Sequence, residues 1–205
     1  KIYTEQELQE VIDILSGKKL IREAEYKLIL PNCEPVRNGM LAMRYMINRG
    51  VGPKKVVAMG CMISNDPQFE NRIIIPSYDK EGHINFYQAR GLFRYIEPKY
   101  LNPIFPKREA LFYSEGKFLN DIPYIYIVEG VFKALRFWNI EEPAVAIFGK
   151  EITREQIRII REHSDMVIIM LDPDALSFAL RMQEEIESSG RWWGVKVLNP
   201  SKAPD

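Results

Sequence analysis

The sequence is poor in the residues that build disulfide frameworks and zinc sites. Among 205 residues it contains two cysteines, Cys33 and Cys61, and two histidines, His83 and His163. So few cysteines argue against a disulfide network and against a four-ligand zinc site within these residues. We therefore expect a reducing, cytoplasmic setting.

Long apolar segments and phosphate-binding glycine loops are also missing. No apolar run approaches the roughly 20 residues that a membrane-spanning helix needs, and the first five residues lack the pattern of a signal peptide. No predicted strand is followed by a glycine-rich phosphate fingerprint or by a Walker A lysine motif. These absences argue against an ordinary Rossmann dinucleotide domain and an ordinary P-loop NTPase, and we expect no membrane partner.

The formal net charge of the chain is zero, but the charged residues are unevenly distributed along the sequence. Residues 72–117 carry eight Lys or Arg and five Asp or Glu, whereas residues 122–205 carry ten and thirteen. A basic block beside an acidic block is typical of an enzyme that holds phosphates with one part and a metal with the other. Differences of this size also arise by chance, so the charge pattern alone decides nothing.

The second half of the sequence alternates between apolar, β-favouring runs and helical periodicity. The pattern predicts strands at 124–128, 144–148, 166–171 and 195–198, and helices at 131–138, 154–162 and 175–188. Apolar runs of this kind are typical of strands buried in a parallel sheet, whose connections are right-handed crossovers. We therefore predict an α/β fold with a small four-stranded parallel sheet and flanking helices. Thr153 and Gln156 have the spacing of a capping box.

The first half of the sequence predicts a mixed structure. Its patterns predict helices at 4–15, 39–49 and 53–59, a short extended piece at 26–30, a β-hairpin of 72–78 with 83–90, and an irregular stretch at 91–121. The turn residues Asp79, Lys80, Glu81 and Gly82 join the hairpin. We accordingly divide the chain into an N-terminal helix and linker (1–34), a smaller basic α+β subdomain (35–121) and the parallel-sheet domain (122–205).

Four acidic residues follow strands of the predicted parallel sheet. Glu129 follows the first strand, Asp172 and Asp174 follow the third, and Asp205 lies beyond the fourth. Because ligands bind beyond the carboxyl ends of parallel strands, we expect these side chains at one rim. Like charges placed together cost free energy unless a cation shares them, and carboxylate oxygens suit Mg²⁺. The residues alone thus predict a metal-dependent site for phosphate chemistry.

These motifs resemble the TOPRIM domain, which primases, topoisomerases and some nucleases share. The likeness rests on Glu129-Gly130 and on Asp172-Pro173-Asp174 over a four-stranded sheet. Upstream, the hairpin at 72–90, the segment Pro98-Lys99-Tyr100-Leu101-Asn102 and the stretch 45–50 are similar to DnaG-type primases, most of all to the compact primases of tailed bacteriophages. Topoisomerases and TOPRIM nucleases lack this upstream set.

The resemblance implies an RNA polymerase core, a nucleotidyltransferase that makes short RNA primers on single-stranded DNA from NTPs during DNA replication. It implies Mg²⁺ as the cofactor, with Mn²⁺ as a substitute, a replicative helicase as a partner, and the bacterial host cytoplasm for a phage-encoded chain. It implies catalytic roles for Glu129, Asp172 and Asp174, metal binding by Glu129, Asp172, Asp174 and Asp205, and nucleic-acid or nucleotide binding by Arg72, Arg90, Lys99, Asn102 and Lys107.

The sequence departs from the family's pattern at two acidic positions. Lys133 lies four residues after Glu129, where many primases carry an acid, and Ala203 replaces the first aspartate of the usual Asp-Pro-Asp tail. We therefore expect weaker or fewer bound metals. Two alternatives stay open: a TOPRIM metal-dependent nuclease, which would share the rim but not the motif around Lys99, and a catalytically weakened TOPRIM module that binds nucleic acid or a replisome partner.

Overall fold

The computed structural model describes residues 28–113, 122–190 and 194–198. The predicted helix at 4–15, Ala203 and Asp205 lie outside these described residues, as does the first part of the predicted extended piece at 26–30. Within the described ranges, residues 28–30 form no strand. No helix in those ranges is both long enough and apolar enough to cross a membrane.

The first part of the chain forms a five-stranded antiparallel sheet with two short helices. Its strands lie side by side in chain order. They are β1 (Cys33–Pro35), β2 (Met62–Ser64), β3 (Arg72–Tyr78), β4 (Ile84–Gly91) and β5 (Tyr100–Leu101), with α1 (Leu41–Asn48) and α2 (Pro53–Ala58) between β1 and β2. The predicted hairpin is confirmed, because β3 pairs with β4 from Arg72 opposite Gly91 to Tyr78 opposite Ile84. The sequence did not predict β1, β2 or β5.

The second part forms the predicted four-stranded parallel sheet. In space the strands run β7, β6, β8, β9, and each neighbouring pair is parallel. They are β6 (Ile125–Val128), β7 (Ala144–Ala146), β8 (Met166–Ile169) and β9 (Gly194–Val197), connected by α3 (Val131–Asn139), α4 (Arg154–His163) and α5 (Leu176–Ser188). The predicted elements are all present, with boundaries that differ by a few residues.

Apolar burial explains why β6 lies inside this sheet. Ile125, Ile127 and Val128 are almost completely buried. Removing one such side chain from water contributes about 1.5–3 kcal/mol. The strand is therefore fixed in the interior, and the polar residues that follow it emerge at the edge of the sheet.

One hydrophobic core joins the two sheets. It combines Met46 and Ile75 from the antiparallel side with Val128 and Phe132 from the parallel side. Phe112 also crosses between the two parts, since its N–H donates to the Ala146 carbonyl and its carbonyl accepts from the Ala146 N–H, both at 2.9 Å. Residues on both sides of the predicted boundary at 121 therefore pack together, and the division itself stays a prediction.

The predicted capping box at the start of α4 is confirmed. Thr153 Oγ1 accepts from the Gln156 N–H at 3.1 Å, and Gln156 Oε1 accepts from the Thr153 N–H at 2.9 Å. The Thr153 hydroxyl also donates to the Arg108 carbonyl, and Gln156 Nε2 donates to the Ala110 carbonyl at 2.5 Å. The cap therefore fastens the loop at 108–110 to the parallel sheet.

We predict that Thr153→Ala lowers the free energy of unfolding by about 0.5–2 kcal/mol, because it removes a capping acceptor and a buried loop contact. Urea unfolding followed by circular dichroism measures this loss. Thr153→Ser keeps the hydroxyl and should retain most of the stability. Equal stability of the alanine variant and the parent would contradict the role of the cap.

Candidate active site

Glu129 and Asp172 meet where two neighbouring strands end. β6 and β8 pair in parallel with Ile127 opposite Ile169, so their carboxyl ends lie side by side. Glu129 follows β6, and Asp172 lies in the turn after β8. The Asp172 N–H donates to Glu129 Oε1 at 3.1 Å. The structure thus brings together two of the carboxylates that the sequence predicts at this rim.

Lys133 is the immediate partner of Asp172. It lies in the first turn of α3, and its ammonium donates to Asp172 Oδ1 at 2.6 Å and to the Met170 carbonyl at 3.5 Å. The hydrogen bond from Lys133 lowers the pKa of Asp172. Burial raises the pKa of Glu129, and the neighbouring Asp172 carboxylate adds to that rise. The pKa values of these two neighbouring carboxylates are therefore shifted in opposite directions, upward for Glu129 and downward for Asp172.

Asp174 has a lysine partner of its own from the turn after β7. Lys150 donates to Asp174 Oδ2 at 2.8 Å, which lowers the pKa of Asp174. The turn is fastened to the rim because the Gly149 N–H donates to the Glu129 carbonyl at 3.1 Å. Phe148 in this turn has a left-handed φ of 56°, a costly conformation for a non-glycine residue that concentrates at functional sites.

The rim therefore holds three carboxylates and two ammonium groups. In the part of the chain that the structure describes, no three acidic, histidine or cysteine side chains converge on one point. The oxygen donors of Glu129 and Asp172 fit Mg²⁺ or Mn²⁺ in their chemistry. A divalent cation at Asp172 would compete with the Lys133 ammonium for the carboxylate, which gives a physical reason to expect weakened metal binding.

Arg90 and Lys99, two of the residues predicted to bind nucleic acid, lie close together. Arg90 is buried, and its guanidinium carbon lies 4.5 Å from the centre of the Tyr100 ring, while Lys99 Nζ lies 5.8 Å from that centre. Arg90 Nε also donates to the Tyr45 hydroxyl at 3.0 Å. These contacts place both cations beside a cleft in the antiparallel part of the molecule.

The other three predicted residues are engaged with the chain itself. Arg72 is buried and donates to the carbonyls of Pro98 at 2.7 Å and Glu97 at 3.2 Å. Lys107 donates to the carbonyls of Ile147, at 3.3 Å, and Glu151. Asn102 Oδ1 accepts from Gln88 Nε2 at 3.1 Å.

These contacts make Arg72, Asn102 and Lys107 suited to positioning loops. Burial lowers the pKa of both the Arg72 and the Lys107 groups, so neither is an open surface cation. Arg72 fixes the segment that carries Lys99, and Lys107 lies against the turn that carries Lys150. Direct binding of nucleic acid by these three residues stays a prediction.

Sequence reasoning missed two parts of the site. It gave no role to Lys150, although Lys150 pairs with one of the motif aspartates. It also gave no binding role to Arg49 or Arg94, which line the same cleft as Arg90 and Lys99. The basic and aromatic residues interleaved between positions 90 and 95 were the available signal.

Comparisons with known proteins agree with this architecture. A family profile described as Toprim-like matches residues 126–205. The DNA primase of Thermotoga maritima is 34% identical over 147 residues, which are 67% of this chain and 26% of that protein. The chain spans less than a third of the curated relatives it matches.

Two solved structures share the fold. The Aquifex aeolicus primase, comprising zinc-binding and RNA polymerase domains, aligns with a TM-score of 0.68 and 19% identity over 82% of this chain and 51% of that one. A DnaG primase catalytic domain bound to single-stranded DNA aligns with a TM-score of 0.60 and 20% identity over 78% and 66%. The predicted TOPRIM fold is confirmed, and the particular likeness to bacteriophage primases stays a prediction.

We predict that Lys133→Met raises the affinity for Mn²⁺ on the order of tenfold or more, because it removes a positive charge that neutralises Asp172. Electron paramagnetic resonance of free Mn²⁺ at fixed ionic strength measures the change. Lys80→Met is the matched control, since the Lys80 side chain is exposed on the distant hairpin turn. The prediction is wrong if both variants bind Mn²⁺ as the parent does.

Proposed function

Because this chain belongs to the DnaG-type primases and contains their TOPRIM core, we propose that it is a primase catalytic core that makes short RNA primers from NTPs on single-stranded DNA. In this proposal the chain is a DNA-directed RNA polymerase, and Glu129, Asp172 and Asp174 are its catalytic carboxylates. The proposal concerns the activity of a longer enzyme, since the chain covers only part of its relatives.

The observation that carries this proposal is the contact between Glu129 and Asp172 close to a basic cleft. The first turn of α3 connects the two features. Phe132 in that turn lies 5.0 Å from the Arg49 guanidinium and 6.0 Å from that of Arg90, and the next residue, Lys133, contacts Asp172. A strand bound in the cleft would therefore lie next to the carboxylates, which is the arrangement that phosphoryl transfer needs.

Glu129 and Asp172, assisted by Asp174, would hold the divalent cation, Mg²⁺ or Mn²⁺. When bound, the cation would neutralise the charge on the triphosphate oxygens of an incoming nucleotide. We also retain Asp205 as a proposed ligand from outside the described residues.

The chain's own groups supply proton transfer and charge stabilisation in this proposal. Glu129 has a raised pKa because of burial, which suits a carboxylate that accepts the proton of the attacking 3′-hydroxyl. Its Oε1 already accepts from the Asp172 N–H, which holds the carboxylate in place. Lys99 and Arg90 would neutralise phosphates of the template or the nucleotide. Arg72 and Asn102 would support that surface, and Lys107 would support the turn that carries Lys150.

The proposed partners follow from this reaction. They are a single-stranded DNA template, NTPs and a replicative helicase. The solved DnaG catalytic domain that shares this fold is bound to single-stranded DNA. We propose a cytoplasmic location, which in a phage-encoded chain would be the cytoplasm of the bacterial host.

A catalytically weakened module that binds nucleic acid is the second candidate function. The lysine partners of both motif aspartates favour this second function, because each ammonium forms an ion pair with a carboxylate that would otherwise bind a metal. The third reading, a TOPRIM nuclease, would share the rim but not the sequence motif around Lys99.

We predict that Asp172→Asn abolishes synthesis of short RNA while leaving the fold intact, because an amide is a much poorer ligand for a divalent cation than a carboxylate. The assay supplies single-stranded DNA, NTPs and Mg²⁺ or Mn²⁺, with a helicase partner in a parallel reaction. Asp165→Asn is the matched control, because Asp165 is exposed and precedes the amino end of the same strand, β8.

Each outcome of this assay selects one function. RNA products from the parent and the control, but not from Asp172→Asn, support the primase proposal. Strand cleavage without RNA products favours the nuclease. DNA binding without any products, even with the helicase, favours the weakened module, and full synthesis by Asp172→Asn removes Asp172 from the catalytic site.

A further inference from the structure

Two aromatic rings stand exposed and stacked beside the basic cleft. They belong to Phe93 and Tyr95, in the loop between β4 and β5. The ring centres are 5.2 Å apart and the ring planes differ by 6°. Phe93 is 37% exposed and Tyr95 is 73% exposed. An exposed, ordered pair of parallel rings offers a flat apolar face on which another ring can stack.

The loop that carries the two rings is held firmly at its base. The Gly91 N–H donates to the Lys99 carbonyl at 3.1 Å, and the Leu92 N–H donates to the Asn71 carbonyl at 2.9 Å. Ile96 folds back over Gly91, where an added Cβ would lie 2.9 Å from Ile96 Cβ. These contacts close the base of the loop that carries the two rings.

The neighbouring cleft, which we call the Arg90 cleft, is strongly positive. It has a volume of about 360 Å³, and its charged lining consists of Arg49, Arg90, Arg94, Lys99 and Glu97. The lining thus has a net charge of +3, although the whole chain has a net charge of zero. Among the residues that the structure describes, none of the four cations forms an ion pair.

Arg90 is a mostly buried cation at the wall of this cleft, since the residue is only 7% exposed and lines the cleft. Its position is fixed, because Nε donates to the Tyr45 hydroxyl at 3.0 Å and the guanidinium lies over the Tyr100 ring. The guanidinium therefore adds a fixed positive charge to the wall that an entering phosphate would meet.

We propose that Phe93 and Tyr95 form a base-stacking platform that, together with the Arg90 cleft, binds single-stranded DNA. The cations bind the phosphates, and an unpaired base stacks on the exposed face of the aromatic pair. This combination of a positive groove and aromatic faces is how proteins bind single strands without reading their sequence. The inference rests on the proposed function, because it names the surface on which the template would lie.

The platform also lies in a suitable place for that template. Phe132 contacts Arg49 and Arg90 beneath the cleft, and it lies three residues after Glu129. A strand whose bases stack on Phe93 and Tyr95 therefore runs beside the helix that begins at the carboxylate rim. A double-stranded molecule has no unpaired base to offer, so the platform favours single strands.

We predict that Tyr95→Leu in the full 205-residue chain weakens binding of a fluorescent oligothymidylate by between about fivefold and a hundredfold. The same variant should bind an abasic oligonucleotide of equal length as the parent does, because that strand keeps its phosphates but has no bases. Fluorescence anisotropy at fixed salt measures both affinities. Tyr95→Phe keeps the aromatic face and should retain tight binding.

Two further variants separate stacking from charge. Arg94→Gln should weaken binding of both oligonucleotides equally and lower the salt-dependence slope by about 1. Ile104→Ala is the matched control, because Ile104 is a fully exposed apolar residue outside the cleft, and it should change neither affinity. The rings are exposed, so circular dichroism should be the same for all variants.

An equal loss of affinity for both oligonucleotides in Tyr95→Leu, or no loss for either, overturns the platform. The same variants are then tested for RNA synthesis, which separates this inference from the proposed function. If binding depends on the bases but no RNA is made, the platform is supported and the primase proposal is wrong. If RNA is made but binding does not depend on the bases, the primase proposal is supported and the platform is wrong.

Discussion

The first turn of α3 is the point on which the rest of the arrangement depends. β6 fixes where this turn begins, because its buried residues hold it in the centre of the parallel sheet. Phe132 then packs into the core shared by both sheets and lies against Arg49 and Arg90, while the next residue, Lys133, contacts Asp172. One helical turn therefore contacts both the basic cleft and the carboxylate rim.

Two lysines offset part of the repulsion between the three carboxylates at the rim. Each aspartate of the motif pairs with one lysine, Asp172 with Lys133 in α3 and Asp174 with Lys150 in the turn after β7. The two pairs differ in strength, because Lys133 is the more buried of the two lysines and Asp174 is well exposed, so solvent screens the Lys150 pair more strongly. A divalent cation at Asp172 would therefore compete with Lys133 for the same carboxylate.

The sequence predicts the parallel sheet and its rim well, since apolar strands and amphipathic helices have clear periodicity. It fails for β1, β2 and β5, which have two or three residues and so show no period. The meeting of Glu129 and Asp172 was predictable because each follows a strand of the sheet, whereas Asp205 lies outside the described residues. The roles of Arg72 and Lys107 were not predictable, because their backbone acceptors lie 26 and 40 residues away. The Arg90 cleft was hidden for the same reason: it combines Tyr45 with residues near position 95, which only the folded chain brings together.

Iron-directed cleavage of the protein tests most directly whether the rim is a cation site. Fe²⁺ replaces Mg²⁺ in sites built from carboxylates, and with ascorbate and peroxide it generates radicals that cut the nearest backbone. The account predicts fragments that end close to Glu129 and Asp172, suppressed by excess Mg²⁺ and strengthened in Lys133→Met. Cleavage spread evenly along the chain, or centred on a different acidic stretch such as the turn at 79–82, would contradict the assignment of a divalent cation to this rim.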